Sequence, residues 1–336
     1  MSEQNWLGKP YYSLDAWCRE NLHHKCYKVA LNAHMTCPNR DGTLGTRGCI
    51  FCSAGGSGDF AVDTAGADLE IQLAEGIRRI EAKLPRTREP FFPSEQAATA
   101  KEPHQAEPPC IIAYFQAYTN TYAPLLYLRE IFTRALETPL VCGISIATRP
   151  DCLPDEVLSL LSDLKQKFPE KFIWIELGLQ TIHEKTADFI RRGYRLSCFE
   201  TACSNLKKMG IPVIVHVILG LPGESNMDML ETIRYLNDIH PFGVKLQLLH
   251  ILKDTDLAEH FVNGEFDALT KEEYLDILIT CLENLSPDIV IHRVTGDGPK
   301  KLLIAPLWSA DKRNVLNSLH RLMRERGAFQ GKNFPG

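Results

Sequence analysis

The sequence predicts an α/β fold: a partial (β/α)6 TIM-like barrel of parallel strands with a C-terminal α/β extension. Apolar, β-branched runs recur at 27–33, 110–116, 141–148, 172–180, 211–221 and 244–252, with a seventh candidate at 288–295. From the second run onward the starts lie roughly 30 to 40 residues apart, the span of a strand plus its crossover helix. The runs are apolar almost throughout, as strands buried on both faces are. Amphipathic segments fill the gaps, which completes the pattern of a parallel sheet covered by helices.

In order along the chain, residues 1–26 form an N-terminal extension and 27–254 the barrel. A helix is expected at 67–84, where Leu69, Ile71, Leu73, Ile77 and Ile80 share a face. Residues 85–109 carry six prolines and little apolar periodicity, which predicts a mobile surface insertion. Further helices are expected at 123–136, 153–165, 183–192, 197–210 and 226–239; Gly210 stops the fourth of these five. The rhythm changes at 255–336, where an acidic helix at 270–285 and a basic helix at 309–327 make up the extension.

With 44% hydrophobic and 24% charged residues among 336, the composition is that of a globular chain. No apolar run approaches the roughly 20 residues that span a bilayer. The first residues lack a basic patch followed by an apolar core, so no secretory signal is expected and the cytoplasm is the expected location. Net charge is −5, unevenly spread: residues 291–336 carry +6 and the rest −11. Such a tail suits a phosphate backbone, with a solvated helix face as the alternative.

Eleven cysteines in such a chain are expected to be reduced. Eight are scattered, and the expectation for most is burial as small hydrophobes. Only Cys37, Cys49 and Cys52 cluster, as C-x11-C-x2-C directly after the first strand. In a parallel barrel that is the rim where active-site loops gather. Soft thiolates favour zinc or an iron–sulfur cluster. A structural zinc site wants a fourth ligand, for which His34 is the nearest candidate. From the spacing alone, a cluster with one iron left open, a zinc site and an unliganded loop all stay open.

The strand–cysteine loop–helix opening, with Phe51 as the aromatic before the last cysteine, resembles the radical S-adenosylmethionine (SAM) superfamily. The commonest loop there is C-x3-C-x2-C; the longer first spacing is similar to branches near the elongator-type tRNA-modifying enzymes. Segments 113–125, 145–158, 174–186, 213–225 and 292–308 extend the likeness to a bacterial family close to those enzymes but lacking their acetyltransferase domain. The resemblance implies that Cys37, Cys49 and Cys52 ligate three irons of a [4Fe–4S] cluster. The amino and carboxylate groups of SAM would chelate the fourth iron. One-electron reduction would then release methionine and a 5′-deoxyadenosyl radical that takes hydrogen from the substrate.

The resemblance also implies roles at the strand ends. Gln116 stands where the family carries a Gly-Gly-Glu-like segment that meets the methionine amino group. Arg149 suits the methionine carboxylate, with a turn-shaping pair to Asp151 as the alternative. Glu176 and Gln180 fall near the ribose, with a structural pair as the alternative for the glutamate. Gly220 and Gly223 permit a close approach or a turn. His216 and His250 lie within strand runs, where a hydrogen-bonded core histidine is the alternative. Where related families show "RGH", this chain has Tyr194 in the histidine position.

These features predict a radical SAM enzyme, with wobble uridine in tRNA as the favoured target and flavodoxin or ferredoxin as electron donor. Lys300, Lys301, Lys312, Arg313, Arg321, Arg324 and Arg326 would hold phosphates. Tyr114, Tyr118 and Tyr122 would stack a flipped base, with rim packing as their alternative; Asn120 and His250 complete the substrate candidates. The rival readings are a radical SAM enzyme on a small molecule or porphyrin-like substrate, and a non-enzymatic zinc or iron–sulfur protein.

Overall fold

A computed structural model describes residues 6–56, 58, 68–81, 110–296 and 298–335. The Pro-rich insertion expected at 85–109 lies outside the described residues. Seven strands form one all-parallel sheet: β1 (Cys26–Leu31), β2 (Cys110–Phe115), β3 (Val141–Thr148), β4 (Phe172–Gln180), β5 (Val213–Leu219), β6 (Gly243–Leu248) and β8 (Val290–Arg293). They pair in sequence order, as repeated right-handed strand–helix units require. The sheet curls into the partial barrel that the strand spacing predicts, and the candidate seventh strand joins its far edge as β8.

Helices cover the outside: α2 (Leu69–Glu81), α3 (Leu125–Glu137), α4 (Asp155–Lys167), α5 (Glu184–Phe189), α6 (Leu196–Lys208), α7 (Asn226–Ile239) and α9 (Lys271–Asn284). α7 and α9 each begin with a capping box, Ser225 with Asp228 and Thr270 with Glu273. Outward strand residues such as Ile111, Ala113 and Phe115 bury against Leu128 and Phe132 of α3 in the main core. A short antiparallel pair, β7 (Ile251–Leu252) with β9 (Leu303–Ala305), sits beside α8 (Asp256–Val262). The basic α10 (Lys312–Glu325) lays Val315, Leu319 and Met323 on the core and turns Arg321 and Arg324 to solvent.

α1 (Leu14–Asn21), α8 and β9 have no counterpart in the periodicity. Of these, α1 plugs the N-terminal end of the barrel, its Trp17 ring edge-on to Trp174 (5.3 Å) and Phe242 (5.0 Å). Ile112, Trp174 and Ile214 form the apolar floor above it. Because side chains alternate along a strand, the next inward layer is Lys28, Tyr114, Glu176, His216 and Lys245.

The expectation of reduced cysteines fails at one pair. Cys110 and Cys142 do not stay free: they are joined by a disulfide, with Cα atoms 5.6 Å apart. The two residues begin adjacent strands. The β2–β3 register shifts between Ile111 and Ile112, leaving Cys142 as the extra residue of a bulge beside Cys110.

Candidate functional site

The loop that follows β1 carries Cys37, Cys49 and Cys52 as half-buried, unbridged thiols. Its backbone folds on itself: the Arg40 amide donates to the Cys37 carbonyl (2.8 Å), Gly48 to Asn39 (2.7 Å) and Cys52 to Cys49 (3.0 Å). The Arg40 guanidinium donates to the carbonyls of Cys52 (2.9 Å) and Ser53 (2.5 Å), tying both ends of the loop together. Two glycines make this closure possible. Gly48 has φ +77°, and a Cβ there would stand 2.9 Å from Arg40 Nε; at Gly56, φ +58°, a Cβ would meet the Tyr118 ring at 2.2 Å. Tyr118 reaches across and donates to the Ala54 carbonyl (2.6 Å).

Asn39 docks the loop onto the far side of the barrel. Its amide donates to the Arg191 carbonyl (2.7 Å) and lies 3.4 Å from Cys49 Sγ. Burial, chiefly, pushes the Cys49 thiol up to about 12. That sulfur ionises at neutral pH only when a cation takes the place of its proton.

Loop and strand ends enclose a cleft of about 250 Å³. Among the expected site residues, the three cysteines, Phe51, Gln116, Arg149, Glu176, Gln180 and His216 line it, as do Tyr118 and His250. Arg149 makes the turn-shaping pair, donating to both Asp151 oxygens (2.9 and 2.7 Å), and stacks 4.9 Å from the Tyr194 ring. Tyr194 in turn donates to the Gly178 carbonyl (2.6 Å). Gln180 adopts φ +65°, and its buried Oε1 has no hydrogen-bond partner among the described residues. An acceptor left so costs about 1–3 kcal/mol, which a ligand donor would offset.

The floor of the cleft is a charged layer. Glu176, 1% exposed, accepts from Lys28 Nζ (2.7 Å), Ser145 Oγ (2.6 Å), Lys245 Nζ and His216 Nε2 (2.7 Å). Burial opposes ionisation of Glu176, but Lys245, Lys28 and His216 outweigh it and hold the carboxyl well below its usual range. Burial lowers Lys245 to about 7 against the pull of Glu176, and burial with the Lys245 charge lowers His216 to about 4. At neutral pH His216 is therefore a neutral imidazole donating to Glu176. Lys245 also donates to the Tyr114 hydroxyl (3.0 Å).

Other expected residues stand outside the cleft lining. Asn120 is wholly buried and donates to the carbonyls of Phe115 (3.1 Å) and Ala147 (3.0 Å), pinning β2 to β3. Gly220, φ +86°, makes a turn against Leu269. Tyr122 is hydrogen-bonded to Thr43 (2.9 Å), as rim packing would have it. Lys300 and Lys301 are exposed just beyond Pro299, which does line the cleft. Arg321 pairs with Glu325 along α10 (3.0 Å), and Arg326 with Asp276 (2.7 Å).

Lys28, Lys245, Asn39 and Gly193 are not apparent as site residues from sequence. The lysines do carry a signal: each interrupts an apolar strand, where an unpaired lysine is almost never buried. Gly193 has only its place beside Tyr194; a Cβ there would come within 2.8 Å of Asn39 Oδ1.

The radical SAM superfamily model matches residues 42–236, and the radical SAM C-terminal domain model residues 241–325. The Bacillus subtilis (strain 168) uncharacterized protein YtqA is 40% identical over 97% of this chain and 93% of its own length. A tRNA uridine(34) acetyltransferase of Methanocaldococcus jannaschii is 25% identical over 55% of this chain and 33% of its own. The solved structure of Methanocaldococcus infernus Elp3, with its N-terminus deleted, superposes with TM-score 0.63 at 16% identity, covering 91% of this chain and 64% of that one. The chain belongs to the radical S-adenosylmethionine superfamily, enzymes that bind a [4Fe–4S] cluster and S-adenosylmethionine.

Proposed function

We propose that this radical SAM enzyme modifies tRNA at the wobble uridine, and that Cys37, Cys49 and Cys52 hold its cluster. The observation that carries the site assignment is the convergence of three unbridged thiols on one cleft with the unpartnered Oε1 of Gln180. Three soft donors suit a four-iron cluster with one iron left for the amino and carboxylate groups of SAM. In this family the reduced cluster supplies the electron that cleaves SAM to the 5′-deoxyadenosyl radical.

The chain's own residues bind and orient. Gln180 offers its acceptor to a ribose hydroxyl, and Arg149, fixed by Asp151 and Tyr194, presents its remaining surface to the methionine carboxylate. Gln116 serves the methionine amino group at the end of β2. Arg40 and Asn39 keep the cysteine loop closed over the cleft. Glu176, on the cleft floor, is engaged by four partners; its part is to hold Lys245 and His216 in place under the ligand.

The substrate reading rests on the M. jannaschii relative, whose name gives uridine 34 of tRNA as its target, and on the +6 charge of residues 291–336. A ferredoxin or flavodoxin is the proposed donor. A small-molecule substrate is the second reading, favoured by the absence of the α10 arginines from the cleft lining. Two measurements test the proposal. Anaerobically reconstituted protein given dithionite and SAM should release 5′-deoxyadenosine, and Cys49→Ala should lose both the brown chromophore and the release while staying folded. Digested tRNA from a deletion strain should lack a modified uridine; an unchanged nucleoside profile would sink the tRNA assignment in favour of a small molecule.

A further inference from the structure

A second group of cysteines lies at the opposite end of the barrel from Cys37, Cys49 and Cys52. Cys26 and Cys110 begin β1 and β2 and are register partners. Cys142 is the bulge residue at the start of β3. The sulfurs of all three lie within 4.8 Å of one another. Cys18, 1% exposed on the plug helix α1, lies beside Cys26 and outside that group of three. Three sulfurs from three strands thus converge on one spot at the barrel's closed end, with a fourth, from α1, next to Cys26. Apolar packing alone gives no reason for that convergence.

We propose that Cys18, Cys26, Cys110 and Cys142 form a tetrathiolate site for zinc in the reduced protein, fastening α1 to the first three strands. Thiolates about 2.3 Å from a tetrahedral ion stand about 3.8 Å apart, within the span that the sulfurs of Cys26, Cys110 and Cys142 already occupy; Cys18 would close in from beside Cys26. The disulfide between Cys110 and Cys142 is the metal-free, oxidised form of the same site. Its reduction takes two electrons and two protons from a dithiol, which becomes a disulfide, or two electrons from a phosphine, with water supplying the protons and the oxygen of the phosphine oxide; binding of the ion then releases the protons of the four thiols to solvent. Cys26 and Cys142 are half-buried, which leaves the site open to solvent at the closed end of the barrel. The site does not depend on the cluster loop.

The test uses the full chain with Cys37→Ala, Cys49→Ala and Cys52→Ala, so that the cluster site cannot take up metal. Treated with excess phosphine under nitrogen, then with zinc and dialysed, it should retain one zinc per chain. With cobalt(II) instead, it should show the thiolate charge-transfer and tetrahedral d–d bands. Adding Cys26→Ser or Cys142→Ser should abolish both signals. Should those variants fail to fold, the wild-type chain decides: zinc should protect Cys18, Cys26, Cys110 and Cys142 from alkylation, mapped by mass spectrometry. No retained zinc in a chain whose thiol titration shows the bridge reduced would overturn the proposal. A bridge that stays closed in excess phosphine, with no zinc taken up, would do the same.

Discussion

Glu176 is the residue on which most of the barrel interior depends. It is one carboxylate shared by Lys28, Lys245, His216 and Ser145 in a layer sealed from water on the floor side. Removing one member of a buried charge set leaves its partners uncompensated, at a cost of about 3–5 kcal/mol. Glu176→Gln should therefore lower the urea midpoint by that equivalent, and Glu176→Gln/Lys245→Met should recover part of the loss. A double variant as unstable as the single would show that the lysine charge is not the source of the penalty. Lys245 adds a pH signature. Its amine is lowered to about 7 by burial and has its ordinary value of 10.5 when exposed. Between those values the unfolded chain binds the extra proton, so stability rises with pH through this window. In Lys245→Met that part of the rise should vanish, measured as unfolding free energy from pH 7 to 10.

At the scale of elements, what periodicity reveals and what it hides separate cleanly. Strand runs such as 141–148 and helices such as 226–239 match β3 and α7 because a long apolar pattern leaves few alternatives. α1 does not announce itself: eight residues make barely two turns, and its use as a plug depends on Trp174 and Phe242, more than 150 residues away. The charged layer is a similar case. A lysine at 28 or 245 stands out in an apolar strand, but only strand order and register bring both to Glu176. Likewise Gly193 is needed because Asn39 approaches it, across more than 150 residues of chain. The α1 plug is testable on its own. Trp17 is half-buried, so Trp17→Ala should cost somewhat less than the 3–5 kcal/mol of a core tryptophan, about 2–3 kcal/mol. Hydrogen exchange should rise at the start of β4 and β6 and not at the cysteine loop. Equal loosening at both ends would mean that the plug and the cleft are one cooperative unit.

For the whole molecule the governing quantity is the distribution of charge. A chain of net −5 repels a polyanion over most of its surface, so RNA can be held only where cations collect. Two groups offer themselves, and the structure ranks them. Lys300 and Lys301 are exposed directly after Pro299, a residue of the cleft lining. Arg321 shares its charge with Glu325 on α10, and Arg326 with Asp276. An anticodon loop whose base enters the cleft would lay its phosphates near 299–301 first. Lys300→Glu/Lys301→Glu should therefore weaken tRNA binding more than Arg321→Glu/Arg324→Glu. It should also flatten the dependence of log K on log salt by roughly one unit for each phosphate that the lysines no longer neutralise. Filter binding between 50 and 200 mM salt, the range over which phosphate-driven affinity falls steeply, reads both effects. If neither pair of substitutions moves affinity or slope, the cationic C-terminal region is a solvated surface, and the cleft serves a small molecule.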